Sequence, residues 1–382
     1  MIFLPGNQIS LLRNGTEFFP ALERAIDEAK YEIQLETYIY EADVTGIRIR
    51  DALARAARRG VICCVLVDGF GSRDLPKKFI RETQAMGVRM LYFRPEISSL
   101  SLKRERLRRL HRKLAVVDGK IAFVGGINII DDMNAPDHTP PRVDYAVKIQ
   151  GPIVAAMHAS ATRMWRRVAW AALQPLALPK LRPDAAPVGH MQAAFVKRDN
   201  ALNRRAIERA YLDAIHCARE EVIIANAYFL PGRRFRRALL AAANRGVRVV
   251  LLLQGRVEYL LLDYATRALY GQLLGGGVEI YEYHTSFMHS KVAVIDAHWA
   301  TVGSSNIDPF SLWLSNEANI VVDDEGFARE LRENLQRSLD DSSRRVRRSD
   351  WKRAPLTRRI AAWLAYGCVR FLLGVAGYSK MR

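Results

Sequence analysis

HRKLAVVDGKIAFVGGIN spans residues 111–128, and HSKVAVIDAHWATVGSSN spans residues 289–306. The two stretches agree at His, Lys, Asp, Gly and Asn, and every shared position is offset by 178. With each residue type present at a few per cent, one such match arises by chance roughly once in millions of starting points. Two of them at equivalent points of one chain mark an internal duplication.

The flanking sequence repeats as well. ALERAIDEAKYEIQLETYIY (21–40) parallels AIERAYLDAIHCAREEVIIANAYF (206–229), each an amphipathic helical pattern running into an alternating strand. IRDALARAARRGVICCVLVDG (49–69) answers to FRRALLAAANRGVRVVLLLQG (235–255), a helix stopped by Gly60 or Gly246 and then a buried strand. AMGVRMLYF (85–93) pairs with GGGVEIYEY (275–283). This order predicts an α/β fold: two homologous α/β/α domains with mostly parallel central sheets. They are expected to pack about a pseudo-twofold axis with the active site between them. The first repeat is read as residues 1–150 and the second as 201–343. Residues 151–200 read as a helix near 152–173 followed by a linker carrying Pro175, Pro179, Pro183 and Pro187.

Within each motif the spacing has a physical meaning. His and Lys two apart on a strand share a face. Asp118-Gly119 signals a two-residue hairpin, which sets residue 126 opposite residue 111 and Asn128 beside His111. Gly125 and Gly303 admit close approach of a bound group, and IIDD or IDPF after each Asn can open a helix. Two imidazoles, two lysines, two asparagines and backbone amides would together hold a phosphate.

The chain carries 58 Lys plus Arg against 40 Asp plus Glu, a net charge of +18 with pI near 10. Such a surplus calls for a polyanionic partner, nucleic acid or an anionic membrane, without choosing between them. Cys63, Cys64, Cys217 and Cys368 lack metal or redox spacing and read as buried small hydrophobes in a reducing compartment. The start of the chain lacks a secretory pattern, so a cytosolic-side protein is expected. Residues 344–382 read as a basic, apolar, membrane-associating tail. Its stretch IAAWLAYGCVRFLLGVAGY (360–378) is long enough to span, but Arg370 at its middle would cost at least ~2.5–3.5 kcal/mol. An interfacial or re-entrant helix with Trp363 and Tyr378 at headgroup level is therefore expected, a core-packing helix being the alternative. Lys103, Arg104, Arg106, Arg108 and Arg109 precede His111 as either a solvated face or a headgroup-greeting cluster. His138, His158, His190, His216, His284 and His298 read as structural or solvated, with His284 also a candidate for the cleft wall.

The pair of motifs resembles the phospholipase D superfamily, in which HxKx4D followed by GG/GSxN occurs once per half. The resemblance implies two phospholipase D-like domains and a phosphohistidine mechanism without metal or other cofactor. By that resemblance His111 is the nucleophile and His289 the general acid and base. Lys113, Lys291, Asn128, Asn306 and Ser304 would bind phosphoryl oxygens, and Asp144 and Glu317 would orient the histidines. Asp118 and Asp296 complete the catalytic motifs, with a turn-anchoring role as the other reading.

Within the superfamily, LETYIYEADVTG (35–46), LVDGFGSRDL (66–75), RRLHRK (108–113), DYAVKIQGPI (144–153), EVIIANAYFLPG (221–232) and HWATVGSSNIDPFSLWLSNEAN (298–319) look most similar to bacterial cardiolipin synthases of the short B type. That implies joining two phosphatidylglycerols with release of glycerol, at the cytoplasmic face of the bacterial inner membrane. The partners would be phosphatidylglycerol and an anionic membrane surface, not nucleic acid. A phospholipase D-type hydrolase, a nonspecific phosphodiesterase or nuclease, and a dead membrane-binding scaffold are the alternatives. The intact His, Lys and Asn pairs weigh against the last.

Overall fold

The computed structural model describes residues 1–95, 108–133, 139–174, 178, 181–199, 202–256, 260–349 and 355–373. The first half runs β1 (Leu4–Arg13), α1 (Asn14–Glu28), β2 (Glu32–Thr37), α2 (Val44–Arg58), β3 (Ile62–Asp68), α3 (Lys77–Ala85) and β4 (Arg89–Phe93). A meander follows, β5 (Lys113–Val117), β6 (Ile121–Gly125) and β7 (Tyr145–Gln150), and then helix α4 (Ile153–Ala171). The second half repeats the plan with β8 (Met191–Arg198), α5 (Ala206–Cys217), β9 (Glu221–Asn226), α6 (Arg233–Asn244) and β10 (Arg248–Gln254). It continues through α7 (Leu260–Arg267), α8 (Tyr270–Gly275), β11 (Glu279–Tyr283), β12 (Lys291–Ile295), β13 (Trp299–Gly303), α9 (Pro309–Trp313), β14 (Glu317–Asp323) and α10 (Glu325–Ser342). β15 (Ser343–Val346) and α11 (Leu356–Leu373) close the described chain.

Local chemistry sets these boundaries. Asp43 caps α2 by accepting from Gly46 N, and Gly60 ends it with φ +88°, a conformation open to glycine. Gly246 closes α6 in the same way at φ +90°.

The strands form one sheet in the order β15-β11-β10-β9-β12-β13-β14-β8-β1-β7-β6-β5-β2-β3-β4. Apart from β15, the order is a palindrome centred on the antiparallel β1–β8 pair, as a twofold relation between the halves requires. Parallel pairing is confined to β2–β3, β3–β4, β9–β10 and β10–β11, which helical crossovers connect. The expectation of mostly parallel sheets is corrected here. Each half reverses direction through short turns into the β5–β6–β7 or β12–β13–β14 meander, and those ladders are antiparallel.

The two half-sheets face each other. One apolar core joins Leu114, Val124 and Val147 of the first half to Val292, Val302 and Ile320 of the second, with Met157 of α4 and Leu331 of α10 packed in. A second core lies under α1 and α2, and a third under α5 and α6.

Two expected boundaries move. Residues 191–198 belong to the expected linker, yet β8 pairs with β14 along its length and is the second half's copy of β1. The prolines end at Pro187, which leaves MQAAFVKR free to enter the sheet. The expected tail begins inside β15, where Ile280 pairs with Val346 at the sheet edge. Helix α11 then packs Ala362, Ala365 and Val369 against the body while Ile360, Trp363, Leu364 and Phe371 stay exposed. No helix among the described residues is long and apolar enough to cross a membrane. Tyr378 lies outside the described residues, as do Lys103, Arg104, Arg106 and His138. Cys63 and Cys64 are buried as expected, but Cys217 and Cys368 are exposed, each on a helix face turned outward.

Candidate functional site

Each motif occupies a hairpin, but the turn is one residue longer than the sequence suggests. Asp118 and Gly119 both take positive φ, 50° and 60°, and Lys120 N bonds back to Val117 O at 2.9 Å. Val117 therefore faces Ile121, and Lys113 faces Gly125 rather than Val124. The register of residue 126 against 111 is corrected accordingly.

At that turn Asp118 accepts from the backbone amides of Lys30, Tyr31 and Glu32 at 2.7, 2.8 and 2.9 Å. Asp296 does the same with Arg219, Glu220 and Glu221 at 2.8, 2.9 and 2.9 Å. Partial burial opposes ionisation of Asp296, yet these three amides hold its carboxyl below the ordinary range. Both aspartates tie a hairpin to the strand beside it, at the end opposite the histidines. The glycines also serve packing. A Cβ on Gly125 would lie 2.5 Å from Ala146 Cα, and one on Gly303 would meet the Asn319 side chain at 2.1 Å. Neighbouring strands, not a bound group, fill that space.

At the histidine end the halves exchange partners. His111 N donates to Asn316 O at 2.9 Å, and His289 N donates to Val143 O at 2.8 Å. These bridges bring each carboxylate to the imidazole of the other half. His111 Nδ1 lies 2.9 Å from Glu317 Oε1 and 3.1 Å from Oε2, and His289 Nδ1 lies 2.7 Å from Asp144 Oδ2. A carboxylate on Nδ1 fixes the proton there and leaves Nε2 as the reactive nitrogen. The sequence marks both carboxylates; the crossing between halves is new.

The carboxylates are themselves held. Ser304 Oγ donates to Glu317 Oε2, which corrects its expected place on the phosphate. At the matching position a Cβ on Gly126 would sit 2.3 Å from Asp144 Oδ1, so the first half needs glycine where the second uses serine. Tyr145 N donates to Asp144 Oδ1 at 2.8 Å.

Lys113 and Lys291 are both buried, and each ammonium donates to the carbonyl of the histidine two residues before it. Lys291 also lies 3.7 Å from Asp144. Burial, then the charge of Lys291, pushes Lys113 down to about 7. Burial, with Lys291 opposing it, raises Asp144 to about 6. His289 is held well below its ordinary value, first by burial and then by the charges of Lys291, Lys113, His111 and Arg142. His111 is lowered by burial while Glu317 pulls the other way. Asn128 Oδ1 accepts from Ile39 N at 3.1 Å, whereas Asn306 Oδ1 is buried without a hydrogen-bond partner among the described residues. The result is a buried site where two lysines, two imidazoles and two carboxylates meet, and the lysines suit it to an anionic phosphodiester. A helix follows Asn306 as expected, α9, while the residues after Asn128 form turns up to residue 133.

The remaining histidines stand apart. His158 meets Glu32 in a buried contact, His190 and His298 pair with Asp324 and Asp323 near the surface, and His216 ends α5. His284 is half-exposed beside Glu282 at 3.6 Å. Sequence reasoning missed the pair behind the motif, where Arg112 makes a two-pronged contact with Glu36 and donates to Ser160 Oγ at 2.9 Å. An arginine between the motif's His and Lys, on the face opposite to theirs, was the available signal.

Comparison with known proteins agrees with this geometry. The family model described as "Cardiolipin synthase, PLD-like domain" matches residues 22–165 and 211–339. Cardiolipin synthase B of Salmonella typhimurium strain LT2 is 40% identical, covering 98% of this chain and 90% of its own. Cardiolipin synthase B of Escherichia coli K12 is 43% identical over 86% of this chain and 80% of its own. The crystal structure of phosphatidylserine synthase from Haemophilus influenzae Rd KW20 shares the fold, with TM-score 0.70 at 14% identity over 98% of this chain and 96% of that one. Two motif-bearing halves, one shared site and this degree of likeness place the chain in the phospholipase D-like family of the cardiolipin synthases.

Proposed function

We propose that this protein moves a phosphatidyl group from one phosphatidylglycerol to the glycerol hydroxyl of another, yielding cardiolipin and glycerol. The observation that carries this reading is the pair of imidazoles, each held through Nδ1 by the other half's carboxylate, with two buried lysines beside them. The likeness to cardiolipin synthases selects the lipid among phosphodiesters.

Lys113 and Lys291 repel each other, and a phosphodiester anion beside them relieves that repulsion. His111 Nε2 attacks phosphorus, and Glu317 stabilises the imidazolium character that develops. The negative charge of the bound phosphodiester offsets the cations that keep His289 neutral. His289 then takes up a proton at Nε2, gives it to the departing glycerol oxygen and regains one from the incoming hydroxyl. The two lysines and the amides of Asn128 and Asn306 offset the charge on the phosphoryl oxygens.

The lipid is reached from a membrane surface. Trp363, Leu364 and Phe371 on α11 are exposed beside Leu260 and Leu261 of α7, and Arg344, Arg345, Arg347 and Arg348 precede that helix. An apolar face with basic flanks lies at the interface of an anionic leaflet.

The test is purified protein with phosphatidylglycerol in mixed micelles plus a chelator, beside His111→Ala. Cardiolipin and glycerol from the wild type alone support the reading. Phosphatidic acid without cardiolipin would make the protein a hydrolase, and cleavage of added DNA alone would make it a nuclease.

A further inference from the structure

We propose that a cleft on the His289 side, present in the second half, seats the glycerol end of the alcohol, both as it leaves and as it enters. The inference rests on the transfer reaction proposed above. The cleft lies where β9 and β10 end and α7 begins, is narrow and open at its mouth, and is walled by Ala227, Tyr228, Gln254, Arg256, Asp263 and Thr266. It is joined to the reacting centre by two hydrogen bonds. Met288 N donates to Gln254 Oε1 at 3.4 Å, and Ala227 N donates to Ser290 O at 2.9 Å. Met288 and Ser290 flank His289.

The matching positions of the first half are filled. Tyr38 occupies the place of Ala227, and its ring centre lies 4.8 Å from that of His111. Asp68 occupies the place of Gln254, and its carboxylate is saturated by the amides of Leu110, Phe70 and Gly71 at 2.7, 2.9 and 3.1 Å. In the second half Ala227 leaves the ring's volume open, and Gln254 Nε2 is buried with no hydrogen-bond partner among the described residues. Buried donors are as a rule satisfied, so Nε2 marks a place for an oxygen that arrives with a ligand. Gln254 Nε2 and the terminal nitrogens of Arg256, whose Nε donates to His284 O, offer donors. Thr266 Oγ1, which donates to Leu262 O, offers an acceptor, and Leu253 and Leu262 line the rest. That mixture suits a vicinal diol with an anionic phosphodiester near Arg256.

The chemistry explains why an opening is needed beside His289. In the first step the His111 Nε2–phosphorus bond forms, the phosphorus–glycerol oxygen bond breaks, and the His289 proton passes to that oxygen. In the second step the incoming hydroxyl gives its proton to His289, the new phosphorus–oxygen bond forms, and the phosphorus–nitrogen bond breaks. By microscopic reversibility both alcohols occupy one place, beside the acid and base.

The experiment gives full-length wild type, Thr266→Leu and Gln254→Leu phosphatidylglycerol in mixed micelles and measures the ratio of cardiolipin to phosphatidic acid. Water needs no alcohol pocket, so the ratio should fall about tenfold in each variant, as loss of one ligand hydrogen bond implies. A ratio unchanged in both variants overturns the inference while leaving the transfer reaction standing. Parallel loss of both products in both variants also overturns it, because the residues then serve the whole reaction or the fold. A wild type that makes phosphatidic acid but no cardiolipin removes the transfer reading and the inference together.

Discussion

Glu317 of the second half lies 2.9 Å from the Nδ1 of His111 in the first, and it is fully buried there. Glu317→Gln keeps the shape and removes the charge that pins the tautomer. We expect glycerol release to fall about 10²–10⁴-fold with little change in KM. Asp144→Asn should act likewise through His289, 2.7 Å away. Wild-type rates in either variant would show that the contact does not support the chemistry.

Gly126 and Ser304 occupy matching positions but are not interchangeable. Gly126→Ser drives its Cβ into Asp144, turning that carboxylate from His289. A loss of about 10²-fold in initial rate is expected. Ser304→Gly removes one hydrogen bond to Glu317 and should cost about tenfold or less. The reverse order of severity would contradict the packing described.

Lys113 titrates at about 7 in the native state, against 10.5 ordinarily. Between those values the unfolded chain holds a proton that native Lys113 has released, so stability rises with pH through that window. Below about 7 both states are protonated and the penalty of burying the charge is fully present. In Lys113→Met the rise should shrink, and activity should drop about 10²–10³-fold with the loss of a phosphate donor. Urea unfolding at two pH values inside the window, for both proteins, measures the first effect. Equal slopes would exclude Lys113 as its source.

Arg112 and Glu36 form a buried pair behind the first motif. Arg112→Met leaves a buried carboxylate alone and should destabilise the protein by about 3–5 kcal/mol. Adding Glu36→Met should restore most of that, since apolar replacements of both partners are often neutral. Denaturant titration of the single and double variants decides it, and additive losses would rule out a direct pair.

Replacing Trp363, Leu364 and Phe371 together by Ser should weaken binding to vesicles containing phosphatidylglycerol by tenfold or more, at about 25 cal/mol for each Å2 of apolar surface that no longer enters the leaflet. Turnover of a short-chain, micelle-free substrate should be unaffected. Sedimentation with vesicles reads the first, and unchanged sedimentation would move the membrane face elsewhere.

Much of this architecture was legible in the sequence because duplication writes each element twice. The hairpins and α4 follow from local pattern alone. The antiparallel ladders beyond the hairpins were not legible, since the rule linking alternation of helix and strand to parallel sheets says nothing of three consecutive strands. The hairpin register slipped by one because a left-handed Asp118 lengthens a turn that Asp-Gly would close in two residues. Asp144 and Glu317 were visible as carboxylates at matching places, but which imidazole each meets depends on how the half-sheets fold together. β8 was hidden because Met, Gln and two alanines carry little strand propensity, and β14 beside it supplies the pairing.

The exchange of carboxylates between the halves has a consequence for descent. Neither half contains a complete imidazole–carboxylate dyad, so each is catalytically dependent on its twin, as a subunit is in an obligate dimer. A hybrid gene that joins the first half of one relative to the second half of another would bring together Glu and His, or Asp and His, from separate lineages. Such chimaeras keep Gly126 with Asp144 and Ser304 with Glu317, since each pair lies within one half. They would work only where the Glu317–His111 and Asp144–His289 contacts re-form across the join. The duplicated halves are thus bound to change in concert, each constrained by side chains that the other supplies.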